Sequence, residues 1–371
     1  MSGVVIAAGG TAGHVYPGLA LAGAIRRREP AIDITFVGTP RGIETDAVPA
    51  AGFSFHTIAV TPWARTLGAR RYLAPVSLAG ATAKARGFLG SVRPDVVVGM
   101  GGYASLPVVI AARTRRVPTL LHEQNSIPGI ANTVGARFAR RIALTFEEAR
   151  TKFPPSAETR VVGNPIREAI RTLNRDAARR EALAAFDLDA SRRTVLVMGG
   201  SLGAARLNDA VAGLAERWRD RADLQMLVAA GKAHGQALRS RLGSGATHVH
   251  VLDYIERVDL AYAAADLAVC RAGAATVAEL SAIGLPAVLV PYPYARANHQ
   301  EHNARALERA GGAVVLLDAH ADATALAAAA EPLLDDEAAL RKMAEGARSF
   351  GKPDAADALA DWVLSLRGAV A

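Results

Sequence analysis

Short apolar, β-branched runs alternate along this chain with longer stretches whose apolar residues recur at helical spacing. Val4 to Ala8, Ile32 to Val37, Phe53 to Ile58, Asp95 to Val98, Thr119 to His122 and Arg141 to Leu144 read as strands buried on both faces. Their alternation with helices predicts a parallel sheet. The pattern pauses over an Arg-rich, strand-free stretch from Arg167 to Arg193. It then restarts with Thr194 to Met198, Leu224 to Ala229, His248 to Leu252, Leu267 to Cys270 and Ala287 to Val290. Two doubly wound α/β domains follow, and the break falls near Gly163-Asn164-Pro165, where a glycine and a proline interrupt the pattern. We expect a first domain over residues 1–165, a second over 166–350, and a stretch 351–371. The helix of that last stretch, Asp354 to Arg367, has no strand after it and can pack on either domain, the N-terminal one included.

A chain of 371 residues exceeds what one hydrophobic core usually supports, which agrees with two domains. With 51% hydrophobic and 21% charged residues it is globular, not disordered. The single cysteine, Cys270, cannot form an internal disulfide; it fits a reducing compartment or a cysteine-poor exported protein, and reads as core filler. Met1 to Gly10 has no basic segment before its apolar run and ends at glycines, so it reads as a first strand and not as a secretion signal. No apolar stretch reaches the ~18 residues of a membrane-spanning helix. Asp266, Arg271 and Glu279 interrupt the richest one, so a soluble or membrane-peripheral protein is expected. The formal charge of +8 attracts anions of several kinds. Nucleic acid is the weakest of them, because there is no zinc-finger spacing or ribonucleoprotein aromatic motif and the basic residues are scattered.

Both halves open alike, with a strand followed by Gly9-Gly10-Thr11 in one and Gly199-Gly200-Ser201 in the other. Gly99-Met100-Gly101-Gly102 follows the fourth strand. In a parallel sheet such turns sit where backbone N–H groups and helix N-termini meet phosphates, though each alone is compatible with ordinary turn chemistry. A nicotinamide-binding reading requires an acidic residue after the second strand, and that strand ends at Gly38-Thr39-Pro40. A P-loop requires a lysine that no glycine turn supplies. Metal ligation lacks its motifs: His299 and His302 have no acidic or cysteine partner at ligand spacing, and Asp187-Leu188-Asp189 lies in the linker. His14, at the end of a glycine loop just before Pro17 and a helix, can face a ligand or cap that helix.

Taken together, Gly-Gly-Thr-Ala-Gly-His at 9–14, His-Glu-Gln-Asn at 122–125, Gly-Asn-Pro-Ile-Arg at 163–167, Gly-Gly-Ser-Leu-Gly-Ala-Ala-Arg at 199–206 and Cys-Arg-Ala-Gly-Ala-Ala-Thr-Val-Ala-Glu at 270–279 resemble the MurG family of cell-wall N-acetylglucosaminyltransferases. The resemblance runs from residue 4 to about residue 303 with order and spacing kept. It implies the GT-B architecture, two Rossmann-like doubly wound domains facing a deep cleft, with acceptor and membrane on the N-terminal domain and UDP-sugar on the C-terminal one. It implies inverting transfer of N-acetylglucosamine from UDP-N-acetylglucosamine to the C4 hydroxyl of undecaprenyl-diphosphate-N-acetylmuramoyl-pentapeptide (lipid I). The product would be lipid II for peptidoglycan synthesis, made at the cytoplasmic face of the inner membrane by a peripheral enzyme.

Carried over residue by residue, the donor site comprises Thr11, Ala12, Gly13, Asn125, Arg167, Ser201, Ile255, Ala274, Ala275, Thr276, Val277, Ala278, Glu279 and Gln300. On this reading Glu279 accepts the ribose hydroxyls, Thr276 and the N–H groups at a helix start face phosphate, and Ile255 offers its backbone to uracil. Ser201 binds phosphate, Asn125 and Gln300 bind the sugar, and Arg167 stabilises the departing diphosphate. His14 is the expected base. No strand-terminal Asp-x-Asp is present, so no tightly bound metal is expected, while a loosely associated magnesium is compatible with the pattern.

Two positions depart from the family: Ala12 stands where glycine is usual, and His299 replaces one of two glutamines beside Gln300. Between residues 63 and 89, Trp63, Leu67, Tyr72, Leu73, Leu78, Phe88 and Leu89 are interleaved with Arg65, Arg70, Arg71, Lys84 and Arg86. That is either a membrane-facing patch or an amphipathic helix on the sheet. A sugar-nucleotide epimerase or glycolipid synthase of the same architecture is the competing reading.

Overall fold

The first strand, β1 (Gly3–Ala7), shows why unbroken apolar runs become strands here. Val4 and Ile6 face one side of the sheet among Leu21, Ile25 and Trp362, while Val5 and Ala7 face the other among Ala85, Leu89 and Val97. A strand covered on both faces has no solvent side, so its sequence does not alternate. The computed structural model describes residues 3–60, 74–200 and 203–367.

The first sheet adds β2 (Asp33–Gly38), β3 (Ser54–Thr57), β4 (Val96–Gly99), β5 (Thr119–Glu123), β6 (Arg141–Leu144) and β7 (Glu158–Val161) in the order β3-β2-β1-β4-β5-β6-β7. The second holds β8 (Arg193–Met198), β9 (Leu224–Ala229), β10 (Val249–Leu252), β11 (Leu267–Cys270), β12 (Ala287–Leu289) and β13 (Ala313–Val315) in the order β10-β9-β8-β11-β12-β13. Every neighbouring pair is parallel. Winding reverses between β1 and β4 in one sheet and between β8 and β11 in the other. Such switch points, beyond the carboxyl ends of the strands, are where doubly wound folds place ligands. The strands β7 and β13 are absent from the sequence reading. Both are sheet edges, and neither is buried throughout.

The chain forms two compact units, Met1–Arg167 with Pro353–Ala371, and Glu168–Lys352. Within the first, the helix Ala355–Leu364 lies on the helix Ala12–Arg28, with Leu359, Trp362 and Val363 buried in the core beside β1. Arg28 donates to Asp357 (2.6 Å) and to Asp361, and Arg367 pairs with Glu29.

The helix Ala74–Val92 buries Ala81, Ala85 and Leu89, one per turn, against the sheet. Lys84 is exposed, Arg86 donates to the Thr114 carbonyl (2.9 Å) and hydroxyl (2.8 Å), and Phe88 stacks on His56 at 4.2 Å. This described part is therefore an amphipathic helix packed on the sheet. Trp63, Arg65, Leu67, Arg70, Arg71, Tyr72 and Leu73 lie outside the described residues. Among the described residues no helix is long and apolar enough to cross a membrane.

Candidate active site

At the first switch point the loop after β1 turns at Gly10, whose φ of +88° is open to glycine at little cost. Thr11 follows in extended conformation as the N-cap, and the helix starts at Ala12, so His14 lies in its first turn with Pro17 inside the helix. The sequence places His14 just before the helix; the structure places it inside. Thr11 does not cap with its side chain. Its Oγ1 is hydrogen-bonded to His14 Nδ1 over 2.9 Å. The imidazole lies against the turn after β4: a Cβ on Gly101 would stand 3.1 Å from His14 Nε2, and one on Gly102 would stand 2.2 Å from the Gly9 carbonyl oxygen. Only glycine at 102 allows the two loops to approach this closely. Ala12 is absent from the residues with positive φ, so the change from glycine costs nothing in backbone conformation.

The run 122–125 ends β5 and is wired into the same region. His122 is wholly buried; its Nε2–H donates to the Gly163 carbonyl (2.9 Å) and its Nδ1 accepts from Gln124 (3.1 Å). Burial drives its pKa down to about 4, against the bond to Gly163 and with help from the nearby His14. Gln124 also donates to the Met100 carbonyl (2.7 Å), just before the Gly101-Gly102 turn. Glu123, equally buried, accepts from Asn125 N (2.9 Å), Gly129 N (3.1 Å) and Asn132 Nδ2 (2.8 Å), and so shapes the loop that carries Asn125. Burial pushes its carboxyl up against these bonds. Arg167 lies 5.6 Å from the Tyr16 ring centroid.

In the second unit the helix Ala274–Ile283 begins after N-cap Gly273, beyond β11, as the sequence indicates. Its first turn carries Ala274 to Val277. Glu279 is 7% exposed, not a surface residue, and its Oε2 accepts from the Tyr262 phenol over 3.0 Å. Arg271, two residues before the N-cap, donates to the Val290 and Pro291 carbonyls (3.2 Å each) and to Asp318 (2.6 Å). Ile255 is buried, 4% exposed. Gln300 Oε1 accepts from Tyr292 N–H (2.9 Å), and His299 Nδ1–H donates to the Arg296 carbonyl (2.9 Å), its pKa held down by burial. Cys270 is buried, and burial pushes its thiol up to about 12, so it stays protonated. Ser201 lies outside the described residues.

The structure thus gathers Thr11, Ala12, Gly13 and His14 at one switch point and the 274–279 helix start at the other. Glu123, Glu44, Tyr262 and Asp318 were missed in the sequence. A polar run closing an apolar strand, as at 122–125, was the one local signal.

Residues 4–144 match the glycosyltransferase family 28 N-terminal domain and residues 194–359 its C-terminal domain. The UDP-N-acetylglucosamine–N-acetylmuramyl-(pentapeptide) pyrophosphoryl-undecaprenol N-acetylglucosamine transferase of Nocardioides sp. is 46% identical, with 98% of each chain covered. The chain belongs to the MurG family. The enzyme of the same name from Desulforudis audaxviator is 41% identical over 98% of both chains. The crystal structure of Acinetobacter baumannii MurG superposes with a TM-score of 0.78 at 28% identity, covering 98% of this chain and 100% of that one. As a MurG-family member the chain is a glycosyltransferase with the two parallel-sheet domains of the GT-B class.

Proposed function

We propose that His14 is the general base of an inverting transfer that moves N-acetylglucosamine from UDP-N-acetylglucosamine to the C4 hydroxyl of undecaprenyl-diphosphate-N-acetylmuramoyl-pentapeptide, giving lipid II. The bond from acceptor oxygen to sugar C1 forms as the bond from C1 to the diphosphate breaks, and the hydroxyl proton passes to His14 Nε2. That direction requires Nδ1–H to donate to Thr11 Oγ1, and the Thr11–His14 pair at the first switch point is the observation that carries the reading. Thr11, Ala12, Gly13, Asn125, Arg167 and Ser201 meet the diphosphate-sugar. Glu279 takes the ribose hydroxyls, the 274–278 helix start and Thr276 take phosphate, Ile255 offers its backbone to uracil, and Gln300 donates to the sugar.

Arg167 and the helix N-terminus neutralise the leaving diphosphate, so no tightly held metal is needed; turnover is expected to persist in EDTA, and its loss would overturn this. The enzyme acts peripherally at the cytoplasmic membrane face, where the apolar Trp63, Leu67, Tyr72 and Leu73 and the basic Arg65, Arg70 and Arg71 suit anionic lipid. Cosedimentation with anionic but not neutral vesicles tests that placement.

The decisive experiment incubates purified protein with UDP-N-acetylglucosamine, with and without the lipid-linked acceptor, following UDP release and product mass. Acceptor-dependent UDP release with one added N-acetylhexosamine is expected. Acceptor-independent UDP release or sugar isomerisation would point to a hydrolase or an epimerase.

A further inference from the structure

Beyond β2 the chain places a carboxylate, but not where a dinucleotide-binding fold would use it. Glu44 opens the short helix Glu44–Ala50 and is wholly buried. Its Oε1 accepts from Gly10 N–H (3.0 Å), Thr39 N–H (3.1 Å) and the Thr39 hydroxyl (2.6 Å). Its Oε2 is buried with no hydrogen-bond partner. Glycines make room for it: a Cβ on Gly9 would stand 2.8 Å from Oε1, and one on Gly38 would stand 2.9 Å from Cγ. Burial pushes the carboxyl up, yet the bonds from Thr39 and Gly10 outweigh it and hold the group below the ordinary carboxylate range. A buried charge is costly unless well bonded. Here it is bonded to the protein's own glycine loop, at the turn preceding the reactive residues.

We propose that Glu44 is a positioning residue for the transfer, fixing the Gly9-Gly10 turn and through it Thr11 and His14, while touching neither substrate. The proposal rests on the reading of His14 as base. Gly10 is the pivot of the loop, since its φ of +88° leaves its peptide outside both strand and helix. Glu44 holds that peptide by its N–H. The next residue, Thr11, supplies the carbonyl that His14 N (3.1 Å) and Val15 N (3.2 Å) bond and the hydroxyl oxygen that meets His14 Nδ1. A swing at Gly10 therefore displaces the imidazole, and an ångström of misplacement at a reacting group costs on the order of a hundredfold in rate.

The test compares Glu44→Ala, Glu44→Gln and His14→Ala in the full chain. We expect Glu44→Ala to lower kcat roughly 10- to 100-fold, with UDP affinity by calorimetry changed far less. Glu44→Gln, which keeps an acceptor at Oε1, should recover most of kcat. In 15N-histidine spectra the tautomer balance of His14 should shift in Glu44→Ala and stay near the parent's in Glu44→Gln. Parent-like kcat in a folded Glu44→Ala overturns the proposal, as does an equal loss of kcat and UDP affinity, or a Gln variant as damaged as the Ala one. Should Glu44→Ala not fold, Thr39→Val carries the test: kcat reduced well beyond any change in UDP affinity supports the role, and parent kcat or an equal loss of both overturns it. Full turnover by His14→Ala sinks the base reading itself, whereas a dead His14→Ala beside an active Glu44→Ala sinks only the role of Glu44.

Discussion

The phenol of Tyr262 donates to Oε2 of Glu279 over 3.0 Å, and both side chains are buried. Tyr262 lies on the helix before β11 and Glu279 on the helix after it, so the bond fixes the carboxylate across the strand that ends at the second switch point. A hydrogen bond to a charged group contributes about 1.5–3 kcal/mol. Tyr262→Phe should therefore raise KM for UDP-N-acetylglucosamine about tenfold or more, with kcat changed far less. Calorimetric titration with UDP checks it; parent-like affinity would remove Tyr262 from donor binding.

At the other switch point, oxygen chemistry at residue 11 should matter more than shape. Thr11→Ser keeps the partner of His14 Nδ1 and is expected to retain most activity, while the isosteric Thr11→Val should lose roughly 10- to 100-fold in kcat. His14→Ala should lose about 10²- to 10⁴-fold. Acceptor-dependent UDP release measures all three, and equal rates for Ser and Val would exclude the hydrogen bond from the mechanism.

His122 makes stability depend on pH. Its folded-state pKa, about 4, lies below the ordinary value of 6.5, so between these two values the unfolded chain takes up a proton that the folded chain refuses. Stability is thus fully present above pH 6.5 and declines as pH falls toward 4. At 1.36 kcal/mol per decade the full decline is on the order of 3 kcal/mol. Urea unfolding of the first unit at a series of pH values should show this slope, and His122→Gln should flatten it.

Arg271 and Asp318, 12% and 15% exposed, form the tightest ion pair near the second helix start, at 2.6 Å. Asp318→Asn leaves the guanidinium with two carbonyls and, among the described residues, no ion-pair partner, which should cost roughly 2–4 kcal/mol. A fall in Tm of the order of 5–10 °C is expected. A Tm within a degree of the parent would mean that the carbonyls alone hold Arg271.

The parallel sheets were legible because both their faces are covered, which makes β1, β4, β8 and β11 unbroken apolar runs. The edge strands β7 and β13 lack that covering, and so lack its signature. The helix start at Gly273-Ala274 was readable from its glycine, whereas the first helix begins at Ala12, ahead of where its sequence suggests, and so takes in His14. Glu44, Tyr262 and Asp318 were not legible because what each does depends on partners far along the chain. Glu44 meets Gly10 from 34 residues away and Tyr262 meets Glu279 from 17. Nothing adjacent to them in sequence marks them as buried and bonded.

The return of the helix Ala355–Leu364 to the first unit sets an order of events during synthesis. β1 leaves the ribosome well before Leu359, Trp362 and Val363, which fill the core beside it, are made. The second unit, Glu168–Lys352, is a continuous stretch and can close its own core while translation is still under way. The unit that holds His14 must wait with one sheet face incompletely covered until residues 355–364 are made, so it is finished after the second unit.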